Sequence, residues 1–244
     1  MTDDQRDDDQ HEDDQRELDI AILVCPGYMP VDVIGFHWAM SALPRTRVHL
    51  VGRTLDEIAG HPHFPTRATT TFEDCPADLD VLFTGAVPAD VLEDAETLAF
   101  LADRGGRARW VAGVCAGSLL LGAAGLLQGY RATTNFHVYG LLPYYGATLV
   151  PTNRVVEDRD RITAGPGTGA HEIALRLIQD LRGTEAARLT ELTMEYAPRP
   201  LFGVGTPELA GPELTQAALG AAAKGLTPFL EVSQRAADRL GVAV

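Results

Sequence analysis

The sequence predicts an α/β fold in which helices cover both faces of a mostly parallel central sheet. Segments of strand character alternate with segments of helix character along the chain, as in repeated βαβ units. Residues 18–25 form an almost continuous apolar run, which is typical of a strand buried on both faces. A cysteine framed by glycines at 113–117 then joins a short strand to an apolar helix.

Residue type and periodicity assign the elements in chain order. Strands are predicted at 18–25, 47–52, 68–72, 79–86, 107–111 and 147–150, followed by a hairpin at 154–165. Helices are predicted at 31–40, 88–105, 118–127, 137–145, 168–181, 184–196 and 213–240. We expect the segment 129–137 to return to the sheet and the segment 198–207 to be extended and irregular.

Composition excludes several classes of protein. The chain has 244 residues, of which 45% are hydrophobic, and it lacks the apolar run of about 18 residues that a membrane span needs. Residues 1–17 hold nine acidic residues and two arginines, so we predict a disordered acidic tail there. The rest, 18–244, is predicted to be a single domain. Its net charge is negative, so it does not indicate the basic surface that binding to nucleic acid requires.

The three cysteines, Cys25, Cys75 and Cys115, lie too far apart for a disulfide framework or a zinc site. Since the N-terminus has no basic stretch followed by an apolar one, no secretory signal is visible, and we expect a cytoplasmic protein. His61 and His63 flank a proline with no thiol or carboxylate ligand close in sequence, which favours a surface loop. We therefore predict no metal site.

Cys115 is the first candidate for chemistry. A G-x-C-x-G pattern between a strand and a helix is typical of a nucleophile elbow, in which Gly113 and Gly117 let the backbone turn sharply. Free N–H groups at the start of the following helix would favour the thiolate and lower the pKa of the thiol. The same pattern also fits an inert buried cysteine in a glycine-rich turn.

Asp32 and the pair Gly85-Ala86 lie where the predicted strands end. Asp32 falls in the first turn of helix 31–40, where an acid interacts favourably with the helix dipole. It also lies at the sheet edge where open α/β folds bind ligands, so a catalytic role is the competing interpretation. Gly85 and Ala86 could offer backbone N–H groups to an anion.

Several segments together resemble the ThiJ/PfpI family of the class I glutamine-amidotransferase-like superfamily, and within it the isonitrile hydratase (cyclohexyl-isocyanide hydratase) group. They occur in the family's order between about residues 20 and 207. The matching segments are Pro26-Gly27, 31–35, 114–127, 131–134 and 195–198. The block from Cys115 to Thr134 is the longest and most specific of them.

The resemblance implies a flavodoxin-like three-layer sandwich, usually a homodimer, that acts on a small electrophile. It implies that Cys115 is the nucleophile and that Asp32 is the neighbouring carboxylate, which hydrogen-bonds the thiolate or transfers a proton. Cys115 would attack the terminal carbon of an isonitrile, Asp32 would help to protonate that carbon, and water would release an N-substituted formamide. No metal or organic cofactor is implied.

The chain departs from the family pattern around this site. The hydratases carry threonine after the cysteine, where this chain has Ala116. The usual Thr-Thr-His-Trp is replaced by 133–136, so that Asn135 takes the place of the histidine and His137 follows two positions later. We expect an altered pocket, in which the residues that bind substrate or an oxyanion are Gly85, Ala86, Ala116, Gly117, Asn135 and His137.

Other functions remain open at this point. One is a different cysteine-dependent reaction of the family, such as a glyoxalase-like hydration or a specialised biosynthetic step. Another is an α/β hydrolase of the dienelactone-hydrolase type, which needs an acid and then a histidine after the nucleophile; His137 and His171 are the histidines that follow Cys115. A non-enzymatic alternative is a sensor whose exposed thiol binds an effector or becomes oxidised.

Overall fold

The computed structural model describes residues 16–243 of the chain. The strands, in chain order, are β1 (Leu18–Leu23), β2 (Thr46–Gly52), β3 (Glu57–Gly60), β4 (Phe64–Arg67), β5 (Thr70–Thr71), β6 (Val81–Thr84), β7 (Trp110–Val114), β8 (Arg131–Ala132), β9 (Thr148–Leu149), β10 (Val156–Asp158) and β11 (Arg161–Ala164). Within residues 16–243, seven strands form one sheet in the order β10-β11-β7-β6-β1-β2-β5, and the others pair as β3-β4 and β8-β9.

The helices are α1 (Pro30–Ser41), α2 (Ala95–Gly105), α3 (Gly117–Ala123), α4 (Gly169–Thr193) and α5 (Pro207–Leu240), with 3-10 helices at Ala89–Glu93 and Phe136–Tyr145. Two long helices are broken at glycines with positive φ, which glycine adopts at little cost. Gly183 (φ 86°) breaks α4 between the two helices predicted for this segment. Gly211 (φ 75°) breaks α5 near its start.

The sheet has the predicted architecture. All neighbouring strands pair in parallel except β10, which forms an antiparallel hairpin with β11. The order β2-β1-β6-β7-β11 is the 2-1-3-4-5 order of flavodoxin-like folds. Strand order reverses at β1, so right-handed crossovers put the helices on opposite faces on either side of this point. The predicted α/β fold with a mostly parallel sheet and a flavodoxin-like topology is confirmed.

The core lies on both faces of the central strands, whose residues in β6 and β7 are all buried. On one face α1 packs against α4, and the ring of Phe36 stacks on Phe83 of β6 with centroids 3.9 Å apart. On the other face α2 contacts α3. Since both faces are covered, burial explains the apolar run that identified β1.

Several sequence predictions about secondary structure were wrong in detail, among them the following three. The segment 129–137 does not join the main sheet; its strand β8 pairs with β9 instead. The helix predicted at 118–127 ends at Ala123, ahead of Gly125, which has φ 80°. The helix predicted at 88–105 is divided at Asp94, whose side chain accepts the Thr97 N–H at 2.9 Å and begins α2.

Three further sequence predictions concern the N-terminal tail, the loop with His61 and His63, and membrane spans. The predicted tail 1–17 lies outside the described residues except for Arg16, which pairs with the buried Asp80, and Glu17. His61 and His63 lie exposed in the turn between β3 and β4, as predicted for a surface loop. Across residues 16–243, none of the helices has the length and hydropathy of a membrane span.

Candidate active site

The carboxyl ends of the parallel strands bring distant segments of the chain to one edge of the sheet. Asp32 follows β1, Ala86 follows β6 and Cys115 follows β7. β1 and β6 are neighbours on the two sides of the reversal in strand order, where open α/β sheets form their ligand sites. The two candidate catalytic residues, 83 positions apart in the sequence, therefore lie at the same edge.

Cys115 has the backbone conformation of a nucleophile elbow. Its φ is 56°, a left-handed value that non-glycine residues rarely adopt and that costs about 1–3 kcal/mol. Two hydrogen bonds hold it there. The Cys115 N–H donates to the carbonyl of Ala164 in β11 at 2.9 Å, and the Thr134 hydroxyl donates to the carbonyl of Cys115 at 2.8 Å. The elbow is therefore fixed by segments that follow it in the sequence.

Gly117 lets the elbow pack directly against β6. A Cβ atom at this position would lie 2.4 Å from the carbonyl oxygen of Thr84 and 2.7 Å from that of Gly85. The carbonyl of Gly117 accepts a hydrogen bond from the Thr84 hydroxyl at 3.1 Å. These contacts agree with the role in the sharp turn that the sequence predicted for Gly117, and its role in binding substrate stays a prediction.

The Asp32 side chain is enclosed by the backbone of two loops. Only 1% of the residue is exposed. Its Oδ2 accepts the Ala86 N–H at 2.8 Å, while Oδ1 is buried with no hydrogen-bond partner among the described residues. A Cβ atom added to Gly85 would lie 2.7 Å from Cβ of Asp32, and one added to Gly167 would lie 2.5 Å from Oδ1. Both glycines therefore make room for this carboxylate.

The observed contacts of the Gly85-Ala86 pair are with Asp32, and its role in binding substrate stays a prediction. The sequence predicted that these residues bind substrate or an oxyanion through their backbone. The Ala86 N–H does bind an anion, but that anion is the protein's own carboxylate. Gly85 contributes the space that the Asp32 side chain needs.

Burial raises the pKa of both candidate catalytic groups, and the charge of Asp32 adds to the rise at Cys115. Burial raises the pKa of Asp32 from 3.8 to about 6, although the hydrogen bond from Ala86 opposes this. Burial, and then the charge of Asp32, raise the pKa of Cys115 to about 12. Hydrogen bonds from the Ala116 N–H and the Asn135 side chain act in the opposite direction. At neutral pH the pair holds one proton, on the sulfur, with Asp32 ionised.

The expectation of a lowered thiol pKa is therefore wrong for the free site. The donors near the sulfur do favour the thiolate, as the sequence suggested, but burial beside a carboxylate outweighs them. A thiol of this kind needs its proton removed during the reaction. Asp32 is the neighbouring base that can accept it.

Asn135, which directly precedes the 3-10 helix Phe136–Tyr145, also contacts the sulfur. Its Nδ2 lies 3.5 Å from Sγ of Cys115. Its Oδ1 accepts the His137 N–H at 3.0 Å and lies 2.6 Å from Nδ1 of the same histidine. Ala116 begins α3 beside the nucleophile and offers the sulfur only its backbone N–H.

Sequence reasoning missed Gly167 and did not assign a role to Thr134. Gly167 follows β11 in a Gly-Pro-Gly segment, and a glycine pair at a strand end is a sign of close backbone approach. Thr134 belongs to the segment that suggested the family, but its hydrogen bond to the carbonyl of Cys115 depends on tertiary structure. No local pattern predicts that contact.

Two other features do not carry the chemistry. A cavity of about 460 Å³ includes Cys25 in its wall, but it lies beside the 3-10 helix Ala89–Glu93 and none of its lining residues belongs to the elbow. Burial, and then the charges of Asp90 and Asp94, raise the pKa of Cys25 to about 12. His171 stacks on Tyr196 and bonds the carbonyl of Thr168. These contacts, and the flavodoxin-like strand order, disfavour the hydrolase alternative.

Known proteins are similar to this chain in sequence and in fold. The DJ-1/PfpI family model matches residues 19–180. Isonitrile hydratase from Pseudomonas putida is 40% identical over 227 residues, which cover 92% of this chain and 99% of that protein. The crystal structure of a ThiJ/PfpI family protein from Pseudomonas syringae is 36% identical, has a TM-score of 0.85 and covers 91% of each chain.

A more distant structure shares the fold alone. Drosophila melanogaster DJ-1beta has a TM-score of 0.66 at 17% identity, and the superposition covers 75% of this chain and 100% of that one. The match to the family model extends from β1 into α4 and so includes both Asp32 and Cys115. On this evidence the chain belongs to the DJ-1/PfpI family.

Proposed function

We propose that this protein is an isonitrile hydratase, which adds water to an isonitrile and releases an N-substituted formamide. The observation that carries the proposal is the buried Asp32 carboxylate beside the strained Cys115 elbow, where its charge acts directly on the thiol. The 40% identity to isonitrile hydratase over most of both chains supports the same conclusion. The pair supplies a nucleophile and a proton carrier in one site.

The first half of the proposed reaction transfers the thiol proton to carbon. The Asp32 carboxylate accepts the proton of Cys115 as the sulfur attacks the terminal carbon of the isonitrile. Asp32 then delivers that proton to the same carbon, which gives a thioimidate with new C–S and C–H bonds. Its raised pKa suits both steps, because a group that titrates near neutral pH can accept a proton and return it.

The second half hydrolyses the thioimidate. Water adds to the carbon that carries sulfur, one of its protons reaches the nitrogen, and the C–S bond breaks. The other proton restores the thiol of Cys115, with Asp32 as the carrier between water and sulfur. The products are the formamide and the starting enzyme. The substrate must reach the sulfur, and Cys115 is accordingly only partly buried.

Incubation with cyclohexyl isocyanide tests the proposal directly. We expect N-cyclohexylformamide to accumulate, as detected by mass spectrometry, with one formamide formed for each isonitrile consumed. The assay should be repeated across a range of pH, with the reduced state of Cys115 verified by intact mass. Absence of product at every pH, with the thiol reduced, would contradict the proposal.

A homodimer and a cytoplasmic location remain predictions.

Restoring the hydroxyl that the hydratases carry after the nucleophile should increase isonitrile turnover. The Ala116→Thr variant adds a hydroxyl beside Cys115, where it can position water or assist proton transfer. We expect kcat for cyclohexyl isocyanide to rise roughly tenfold, which corresponds to about 1.4 kcal/mol in the barrier. The Ala116→Val variant is the matched control, because it adds the same bulk without the hydroxyl. Equal rates in all three proteins would mean that residue 116 does not limit hydration.

The space that Gly167 provides for Asp32 should be necessary for activity. The Gly167→Ala variant places a methyl group 2.5 Å from Oδ1 of Asp32, so the carboxylate must move. We expect kcat/KM to fall roughly 100-fold, because small displacements of catalytic groups have effects of this size. Gly140→Ala is the control, since a Cβ atom at Gly140 meets nothing within 4 Å. Unchanged kinetics in Gly167→Ala would mean that the position of this carboxylate is unimportant.

A further inference from the structure

The side chain of Asn135 is held in one orientation by the backbone of the next turn. Asn135 precedes the 3-10 helix Phe136–Tyr145, and its Oδ1 accepts the backbone N–H of His137 at 3.0 Å. A backbone N–H can only donate, so the amide oxygen and not the amide NH₂ must face it. The NH₂ group is therefore directed to the other side, where it lies 3.5 Å from Sγ of Cys115.

The ring of His137 reinforces this orientation. Its Nδ1 lies 2.6 Å from Oδ1 of Asn135, a distance that requires the proton on Nδ1, since Oδ1 has none to give. One oxygen thus accepts two hydrogen bonds from a single residue, two positions later in the chain. The ring is half-buried, and it lies against Phe136 with ring centroids 3.8 Å apart.

We propose that His137 is a positioning residue, which acts through Asn135 to keep an amide donor on the Cys115 sulfur as negative charge develops there. Asn135 cannot accept or lose a proton in this role, so Asp32 remains the proton carrier of the site. Among residues 16–243, the charge that acts on the sulfur is that of Asp32 in α1, and its hydrogen-bond donors are Asn135 and the Ala116 N–H. His137 reaches the sulfur only through Asn135. The inference rests on the proposed role of Cys115 as the nucleophile.

A pair of substitutions at His137 separates positioning from packing. His137→Asn retains an NH₂ donor close to the place of Nδ1, whereas His137→Gln puts its amide near the place of Nε2. Both are polar and both remove the ring, so a purely structural role would be affected by each alike. Asn135→Ala removes the donor itself, and thermal melting of every variant reports whether the fold is retained.

The readout is the rate of Cys115 alkylation by iodoacetamide against pH, followed by peptide mass spectrometry so that Cys25 and Cys75 do not interfere. This rate follows the thiolate fraction and needs no isonitrile turnover. We expect Asn135→Ala and His137→Gln each to lower it roughly tenfold at a fixed pH below the thiol pKa, because hydrogen bonds to charged groups have effects of this order. His137→Asn should stay within about twofold of wild type on the same grounds.

The double variant Asn135→Ala/His137→Gln should react no more slowly than Asn135→Ala, because His137 has no effect on the sulfur once the amide is absent. Additive losses would overturn the proposal. So would equal rates in His137→Asn and His137→Gln, or a full rate in Asn135→Ala. Formamide production is measured separately, so a protein with the expected alkylation pattern but no hydration would refute the proposed function and leave the positioning of the thiol intact.

Discussion

Replacing Cys115 by alanine is expected to abolish formamide production from cyclohexyl isocyanide. The proposed reaction forms a bond to this sulfur, so no alternative residue can carry the intermediate. We expect kcat to fall by a factor on the order of 10⁴ or more, as removal of a catalytic nucleophile does elsewhere. The measurement is formamide formed per enzyme by mass spectrometry, with enough variant protein to detect single turnovers.

The other two cysteines provide matched controls. Cys25 and Cys75 are buried and belong to no part of the elbow, so Cys25→Ala and Cys75→Ala should retain hydration once their melting temperatures show intact folding. The Cys115→Ala variant should also fold, because alanine keeps the left-handed backbone and the bonds to Ala164 and Thr134. Turnover that persists in Cys115→Ala would mean that the elbow is not the nucleophile.

The Asp32→Asn variant is expected to lose activity and its pH dependence together. In the proposed reaction Asp32 must be ionised to accept the thiol proton, so wild-type kcat/KM should rise with pH through the Asp32 pKa of about 6. Asparagine cannot accept a proton, and we expect kcat to fall by about 10²- to 10⁴-fold, the usual contribution of a general base. The residual rate of the variant should show no limb near pH 6.

The Asp32→Asn substitution should also stabilise the folded protein relative to wild type as the pH rises. The folded-state pKa of Asp32 is raised to about 6, above its ordinary value of 3.8, so the folded protein binds more protons than the unfolded one between these values. Ionising the buried carboxylate costs stability as pH rises through this window, by about 3 kcal/mol in all. The melting temperature of Asp32→Asn should therefore exceed that of wild type by a margin that grows from pH 4 to pH 7.

Two outcomes would contradict this account of Asp32. A limb near pH 6 that survives in Asp32→Asn would assign the titration to another group. A difference in melting temperature that stays constant from pH 4 to pH 7 would mean that the carboxylate titrates near its ordinary pKa in the folded protein. Asp90→Asn is a suitable control, because Asp90 is an exposed carboxylate at the same edge of the sheet. We expect it to change neither profile.

The sequence by itself determined the architecture and identified Cys115 and Asp32 as the candidate catalytic residues. The apolar run of β1 identifies a strand buried on both faces because burial of this kind leaves no alternation of polar and apolar residues. The glycines around Cys115 identify a sharp turn because the constraint is local to a few residues. Asp32 was identified as a candidate by its place after a strand and by the family pattern.

The tertiary structure decided how these residues behave. The thiol pKa depends on burial and on a charge 83 positions earlier in the chain, so its rise could not be deduced from the local N–H donors. The roles of Gly85, Gly117 and Gly167 follow from contacts with other segments. The pairing of β8 with β9, outside the main sheet, was also visible only in the tertiary structure. Local sequence specifies backbone conformation, whereas ionisation and close approach are set by neighbours that only folding brings together.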